Sequence, residues 1–184
     1  MMWDLPLSVL IDGKEYAIRN KCDYRMVLDV IGALNDNDLE AQEKLQCALF
    51  IFYEDLKGCT NLEQAVKEMF FIINNGEEDE QKDSNKPQLM DWHYDFKQLA
   101  PPISRILGYD VRLPDKYTHW WSFIGGYMEI GECTFSNIVS IRSKKAKGKN
   151  LDKWEENFYR ENRKKIDLPI KLTAEEQAFL DSEW

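Results

Sequence analysis

The chain has 184 residues, 43% hydrophobic, 12% aromatic and 31% charged, which is enough apolar material for a core and excludes general disorder. Lys and Arg number 24 against 33 Asp and Glu, and the net charge of −9 argues against general affinity for nucleic acid or anionic membranes. No apolar run approaches the ~20 residues of a membrane-spanning helix, and Met1-Met2-Trp3-Asp4 lacks the basic start of a secretory signal.

The elements then follow in chain order. Ser8 to Ile11 and Tyr16 to Arg19 flank Asp12-Gly13, a dipeptide suited to the positive φ of a type I′ turn, so a short hairpin is predicted. Met26, Val27, Val30, Ile31 and Leu34 recur at helical spacing after the candidate cap Asp23, giving a helix over 24–34. Asn35 to Asp38 breaks it. A second helix is expected at about 39–56, with Leu45, Leu49, Phe52 and Leu56 inward and Lys57-Gly58 as its stop. Thr60-Asn61-Leu62-Glu63 reads as a capping box for a third helix to about Asn74. Residues 75–88 carry clustered acid and no large apolar side chain until Pro87, as a linker or a surface loop would.

Beyond this segment the aromatic density rises. Asp91 is a candidate cap for a helix through Leu99, which Pro101-Pro102 should interrupt before a short helix ending at Gly108. Helices are expected over 116–130, from Thr134 or Ser136 to Lys147-Gly148, over 151–166, and from Thr173 to Trp184. The fold class is therefore mainly α, a multi-helix bundle with a short N-terminal β-hairpin. It divides into 1–74, the 75–88 linker or loop, and an aromatic-rich helical part over 89–184.

The charge is unevenly placed. Residues 1–83 hold −10, residues 84–141 hold −1, residues 142–165 hold +6, and residues 166–184 hold −4. The basic stretch Arg142 to Lys149 reads first as a solvated helix end, second as a docking patch for an acidic protein surface, and third as a phosphate contact.

Little in the sequence supports catalysis. His93 and His119 are the only histidines, and there is no Gly-x-Ser-x-Gly elbow, phosphate loop or dinucleotide fingerprint. Asp91 with His93 and Glu129 with Glu132 are the nearest approaches to a metal or acid–base set, and solvated carboxylates explain them better. Cys22, Cys47, Cys59 and Cys133 are irregularly spaced without a Cys-x-x-Cys pair, as expected for free thiols in a reducing cytosol. No cofactor or metal is expected, and no enzyme activity.

The run from Lys116 through His119-Trp120-Trp121 to Gly131-Glu132-Cys133-Thr134-Phe135, followed by Ile138 to Arg142 and the Lys144–Lys149 run, resembles the phage "gene product fifteen" family. Asp95-Phe96, Ala100 to Ile103, Gly108 to Arg112 and the opening Asp4-Leu5-Pro6 before the hairpin fit the same pattern. The resemblance implies a tail morphogenesis protein encoded by tailed phages or prophages of Gram-positive bacteria and working in the host cytoplasm. It further implies a tail assembly chaperone that binds tape-measure and tail-tube proteins without catalysis, or, as the alternative, a head–tail connector or tail-completion component of the virion. Trp120, Trp121, Tyr127, Lys144, Lys145 and Lys147 are the candidate partner-binding residues, since aromatic and basic side chains are frequent interface anchors. Adjacent indoles do not share a helix face, so part of that aromatic cluster is expected to be core. Self-association stays open, and nucleic acid ranks behind protein as a partner.

Overall fold

The computed structural model describes residues 4–78 and 87–169. These form seven α-helices, a two-stranded hairpin and a short turn, grouped in two compact units. The first unit comprises residues 4–78 and 117–124, and the second residues 87–116 and 125–169.

In the first unit, β1 (Ser8–Ile11) pairs antiparallel with β2 (Lys14–Ala17), and Val9 lies opposite Tyr16. Asp12 and Gly13 have φ of +49° and +78°, the left-handed pair a type I′ turn requires. Alternation along the pleat buries Val9, Ile11 and Tyr16 and leaves Leu10 outside. α1 (Tyr24–Leu34) has the predicted bounds, and Asp23 caps it by accepting the Arg25 N–H at 3.0 Å. Before it, Asn20, Lys21 and Cys22 all adopt positive φ, a left-handed turn without glycine that costs about 1–2 kcal/mol per residue.

α2 (Ala41–Phe52) is shorter than its pattern suggests. Tyr53 turns extended and bridges to Ile18, and its hydroxyl donates to the Ala65 carbonyl at 2.8 Å. The chain thus leaves the helix to fill the core, so Ala48, Leu49 and Phe52 are buried while Leu45 is exposed and Leu56 lies beyond the helix. α3 (Leu62–Ile73) is capped by Asn61, one residue later than the capping-box reading, with Asn61 Oδ1 accepting the Gln64 N–H. Tyr24 stacks on Phe123 with centroids 4.3 Å apart, and Trp120 lies 5.9 Å from the same ring.

The second unit contains α4 (Trp92–Leu107), α6 (Thr134–Ala146) and α7 (Lys153–Ile166). α4 corrects the expected break, because the helix continues through Pro101 and Pro102. Those prolines supply no N–H to the carbonyls of Lys97 and Gln98, a penalty of about 3 kcal/mol for each. Complete burial of Leu99, Ala100 and Ile103 across the same turn offsets it. The helix ends at Gly108, whose φ of +78° forms a left-handed cap.

α5 (Trp120–Met128) is shorter than the predicted 116–130. The residues before it are held otherwise: the Thr118 carbonyl accepts the Tyr24 N–H, and His119 bridges to Asp23. The first turn of α5 belongs to the first unit and its end to the second. The predicted helix from Thr173 to Trp184 lies outside the described residues.

Candidate interaction surface

The last carbonyls of a helix lack intrahelical donors, and each must find one or face water. At the end of α3, Asn75 and Gly76 both have positive φ, and their N–H groups return to the carbonyls of Ile72 and Phe71 at 3.1 and 2.8 Å. This is the Schellman arrangement. The indole N–H of Trp120 donates to the Ile73 carbonyl, and that of Trp121 to the Ile72 carbonyl, both at 2.9 Å. Two adjacent indoles therefore serve two adjacent carbonyls, Trp120 from within the core and Trp121 from its edge. Gly76 makes room for the second, since a Cβ there would stand 3.2 Å from Trp121 Cη2. Both tryptophans are committed to holding α3.

His119 positions them. Its Nδ1 accepts the Trp121 N–H at 3.0 Å, so the proton sits on Nε2, which lies 3.0 Å from the Pro6 carbonyl and donates to it. The ring thus caps α5 as a neutral imidazole and pins the chain ahead of the hairpin. Burial depresses its pKa, opposed by the Pro6 contact and the Asp23 carboxylate. Asp23 Oδ2 accepts the Thr118 N–H at 3.2 Å, and the Tyr117 hydroxyl donates to the Lys21 carbonyl of the left-handed turn. Cys22 in that turn is fully buried, and its thiol is pushed up to about 12 by burial. It behaves as an inert apolar residue.

In the second unit the basic stretch is largely engaged within the fold. Arg142 is buried, and all five of its N–H donors are used. Two go to the Asp95 carboxylate at 2.7 and 2.8 Å, and the others to the carbonyls of Ile166, Lys165 and Leu89. It joins α4 to α6 and caps α7. Lys144 pairs with Glu155 at 2.5 Å. Lys145 bonds Asp167 at 2.7 Å and lies 3.8 Å from the centroid of the Tyr159 ring. Lys147 stands exposed at the C-cap of α6. Tyr127 packs edge-on to Trp92 with centroids 5.3 Å apart. The six candidate residues therefore fall in two separate units: Trp120 and Trp121 in the first, Tyr127 and the lysines in the second.

Asp91 is occupied as the cap of α4, accepting the N–H groups of His93 and Tyr94, while Glu129 and Glu132 are exposed. Among the described residues, no group of three or more His, Cys, Asp or Glu side chains is placed to hold a metal. All four cysteines are free thiols.

A surface missed in the sequence lies along α3. Ala65, Met69 and Ile72 bury one face of this helix, yet Leu62, Val66, Phe70 and Phe71 occupy the remaining circumference. Val66, Phe70 and Phe71 line a groove of about 580 Å³ together with Lys67, Glu68, Glu77 and Glu78. Leu62 is 53% and Phe71 38% exposed. The available signal was an apolar content in α3 exceeding what one buried face accommodates. Phe50 on α2, 78% exposed, sits apart with the Arg19 guanidinium 5.6 Å from its ring. Arg19 also donates to the carbonyls of Phe50, Ile51 and Tyr53, closing the end of α2 as the indoles close α3.

The fold is thus that of a mainly helical protein with an N-terminal hairpin, built from two units of unlike charge. The family model described as Bacteriophage Gp15 protein matches residues 2–168, and the chain belongs to that family. Membership points to a structural or morphogenetic role in a phage. No curated protein and no solved structure matches the chain.

Proposed function

We propose that this protein is a tail assembly chaperone, acting in the host cytoplasm by binding tape-measure and tail-tube proteins without catalysis. The observation that carries this reading is the makeup of the first unit. Its described residues hold 15 acidic against 7 basic side chains, and large apolar residues remain exposed among them, notably Leu10, Phe50, Leu62 and Phe71. The apolar residues gathered along α3, Val66, Phe70 and Phe71, mark an interaction site on a charged protein, and charge of one sign keeps such a protein soluble until its partner arrives. Family membership supports the phage context.

Co-expression with the tape-measure and tail-tube proteins of the same phage tests it. The expected result is co-purification with one or both, and absence of the protein from finished particles by mass spectrometry. Failure to co-purify with either would sink the chaperone reading. Stoichiometric presence in mature virions would favour a structural connector instead.

A further inference from the structure

We infer that the groove along α3 is a docking site for a basic amphipathic helix of another protein. This deepens the proposed function by naming a surface and the chemistry it takes. Val66, Phe70 and Phe71 supply the apolar floor, and Glu68, Glu77 and Glu78 supply the rim. Among the described residues, Lys67 is the one cation lining the groove, and it is paired with Glu63 at 2.9 Å, so the charge these residues give the rim is negative. An occupant must therefore bring an apolar stripe and positive charge beside it. A helix with apolar residues at i, i+3, i+4 and i+7 and Lys or Arg on its flanks does both, and its own backbone polar groups are already satisfied.

Charge separates this occupant from the alternatives. A second copy laying the same face into the groove would set one acidic rim against another. Residues 170–184 of this chain hold one basic against four acidic side chains and meet the same repulsion. The far end of the groove is preorganised. Phe71 lies next to Gly76, over which Trp121 packs, and the two indoles and the Schellman bonds fix the terminal turn of α3. A helix seated there loses little to ordering its receptor.

The test uses the intact protein and a fluorescein-labelled 18-residue model helix of Leu and Lys with Leu at that spacing, read by anisotropy. Two companions control it: one of the same composition with scrambled spacing, and one with Glu in place of Lys. The spaced Leu/Lys helix should bind, more weakly as salt rises, and both companions should bind at least tenfold more weakly. Phe70→Ala and, separately, the pair Glu77→Gln with Glu78→Gln should each weaken it by about tenfold, as loss of an interface anchor or of its charge complement does. Phe50→Ser, on the other exposed patch, should leave affinity unchanged. Circular dichroism melts confirm that each variant is folded, and the exposed rim pair provides the measurement should Phe70→Ala fail to fold. Equal binding of the scrambled helix, or undiminished affinity in the rim pair, overturns the assignment. So does a protein that is already a dimer and that Phe70→Asp makes monomeric. Because the probe is not a phage protein, co-purification can succeed while this test fails, and the reverse, so the two readings fail separately.

Discussion

Both units must satisfy helix ends that their own helices leave open, and they do so with different chemistry. The first closes α2 with Arg19 and α3 with the indoles of Trp120 and Trp121, and its core is apolar and aromatic apart from Asp23, Thr118 and His119. The second closes α7 with Arg142 and then buries the compensating carboxylate of Asp95, so an ion pair stands where the first unit has stacked rings. Charge is distributed accordingly. The first unit carries a net −8 among its described residues, whereas the second, at +3, engages Arg142, Lys144 and Lys145 within its fold. A summed charge of −9 describes neither. The acidic unit holds more carboxylates than its own bases can pair, and the basic one uses its charge for cohesion.

The sharpest way to break this contrast is Arg142→Ala, which leaves Asp95 buried and uncompensated. The expected loss in urea-denaturation stability is about 3–5 kcal/mol. Replacing Arg142 and Asp95 together with Met and Leu should recover only part of it, since the carbonyls of Ile166, Lys165 and Leu89 remain without their donor. Full recovery would show that the pair matters and the capping does not.

In the first unit, Trp120→Phe strips the indole donor from the Ile73 carbonyl and should cost about 1–3 kcal/mol. Trp121→Phe should cost less, because the Ile72 carbonyl keeps the Asn75 N–H. Equal losses would argue for packing alone. Gly76→Ala should cost about 1–2 kcal/mol, from the left-handed backbone and the crowding of Trp121.

Acidity separates the units as well. His119 in the folded chain has a pKa below its ordinary 6.5, so the unfolded chain binds the extra proton first. Its contribution to stability is complete above that value and declines as pH falls through 6.5 toward the lower folded pKa. Denaturation midpoints measured between pH 8 and pH 5 should decrease over that window in the wild type, with a shallower slope in His119→Gln. A slope unchanged by the substitution removes His119 from the account. The smallest effects belong to the surface pairs. Lys144→Gln should cost at most about 1 kcal/mol, and Lys67→Gln on α3 less still, both effects diminishing in high salt.

Local features were legible in the sequence where the physics is local. Asp12-Gly13 specified its turn, and Asp23 with the spacing of Met26, Val27 and Val30 specified α1 to the residue. Asp91 capped α4 as read. Pro101-Pro102 misled because propensity counts lost hydrogen bonds but not the burial of Leu99 and Ile103 that outweighs them. The candidate site was less legible. That Trp120 and Trp121 serve one helix end depends on residues 47 and 49 positions away, and that Arg142 meets Asp95 depends on a separation of 47, neither of which a periodicity carries. The groove residues were hidden differently: Val66, Phe70 and Phe71 look like core in a helix whose buried face is already complete.

The return of residues 117–124 to the first unit also bears on how such a gene can be cut or recombined. A fragment ending at residue 78 would lack the indole donors to Ile72 and Ile73, the ring stacked on Tyr24 and the acceptor carbonyl for its N–H. A single crossover between residues 78 and 87 would join the α3 of one parent to the indoles of another. The inheritable module is therefore not a contiguous half of the chain. Hybrids between relatives should fold only when the segment around Trp120 travels with the helix it closes, or when both parents carry the same pairing.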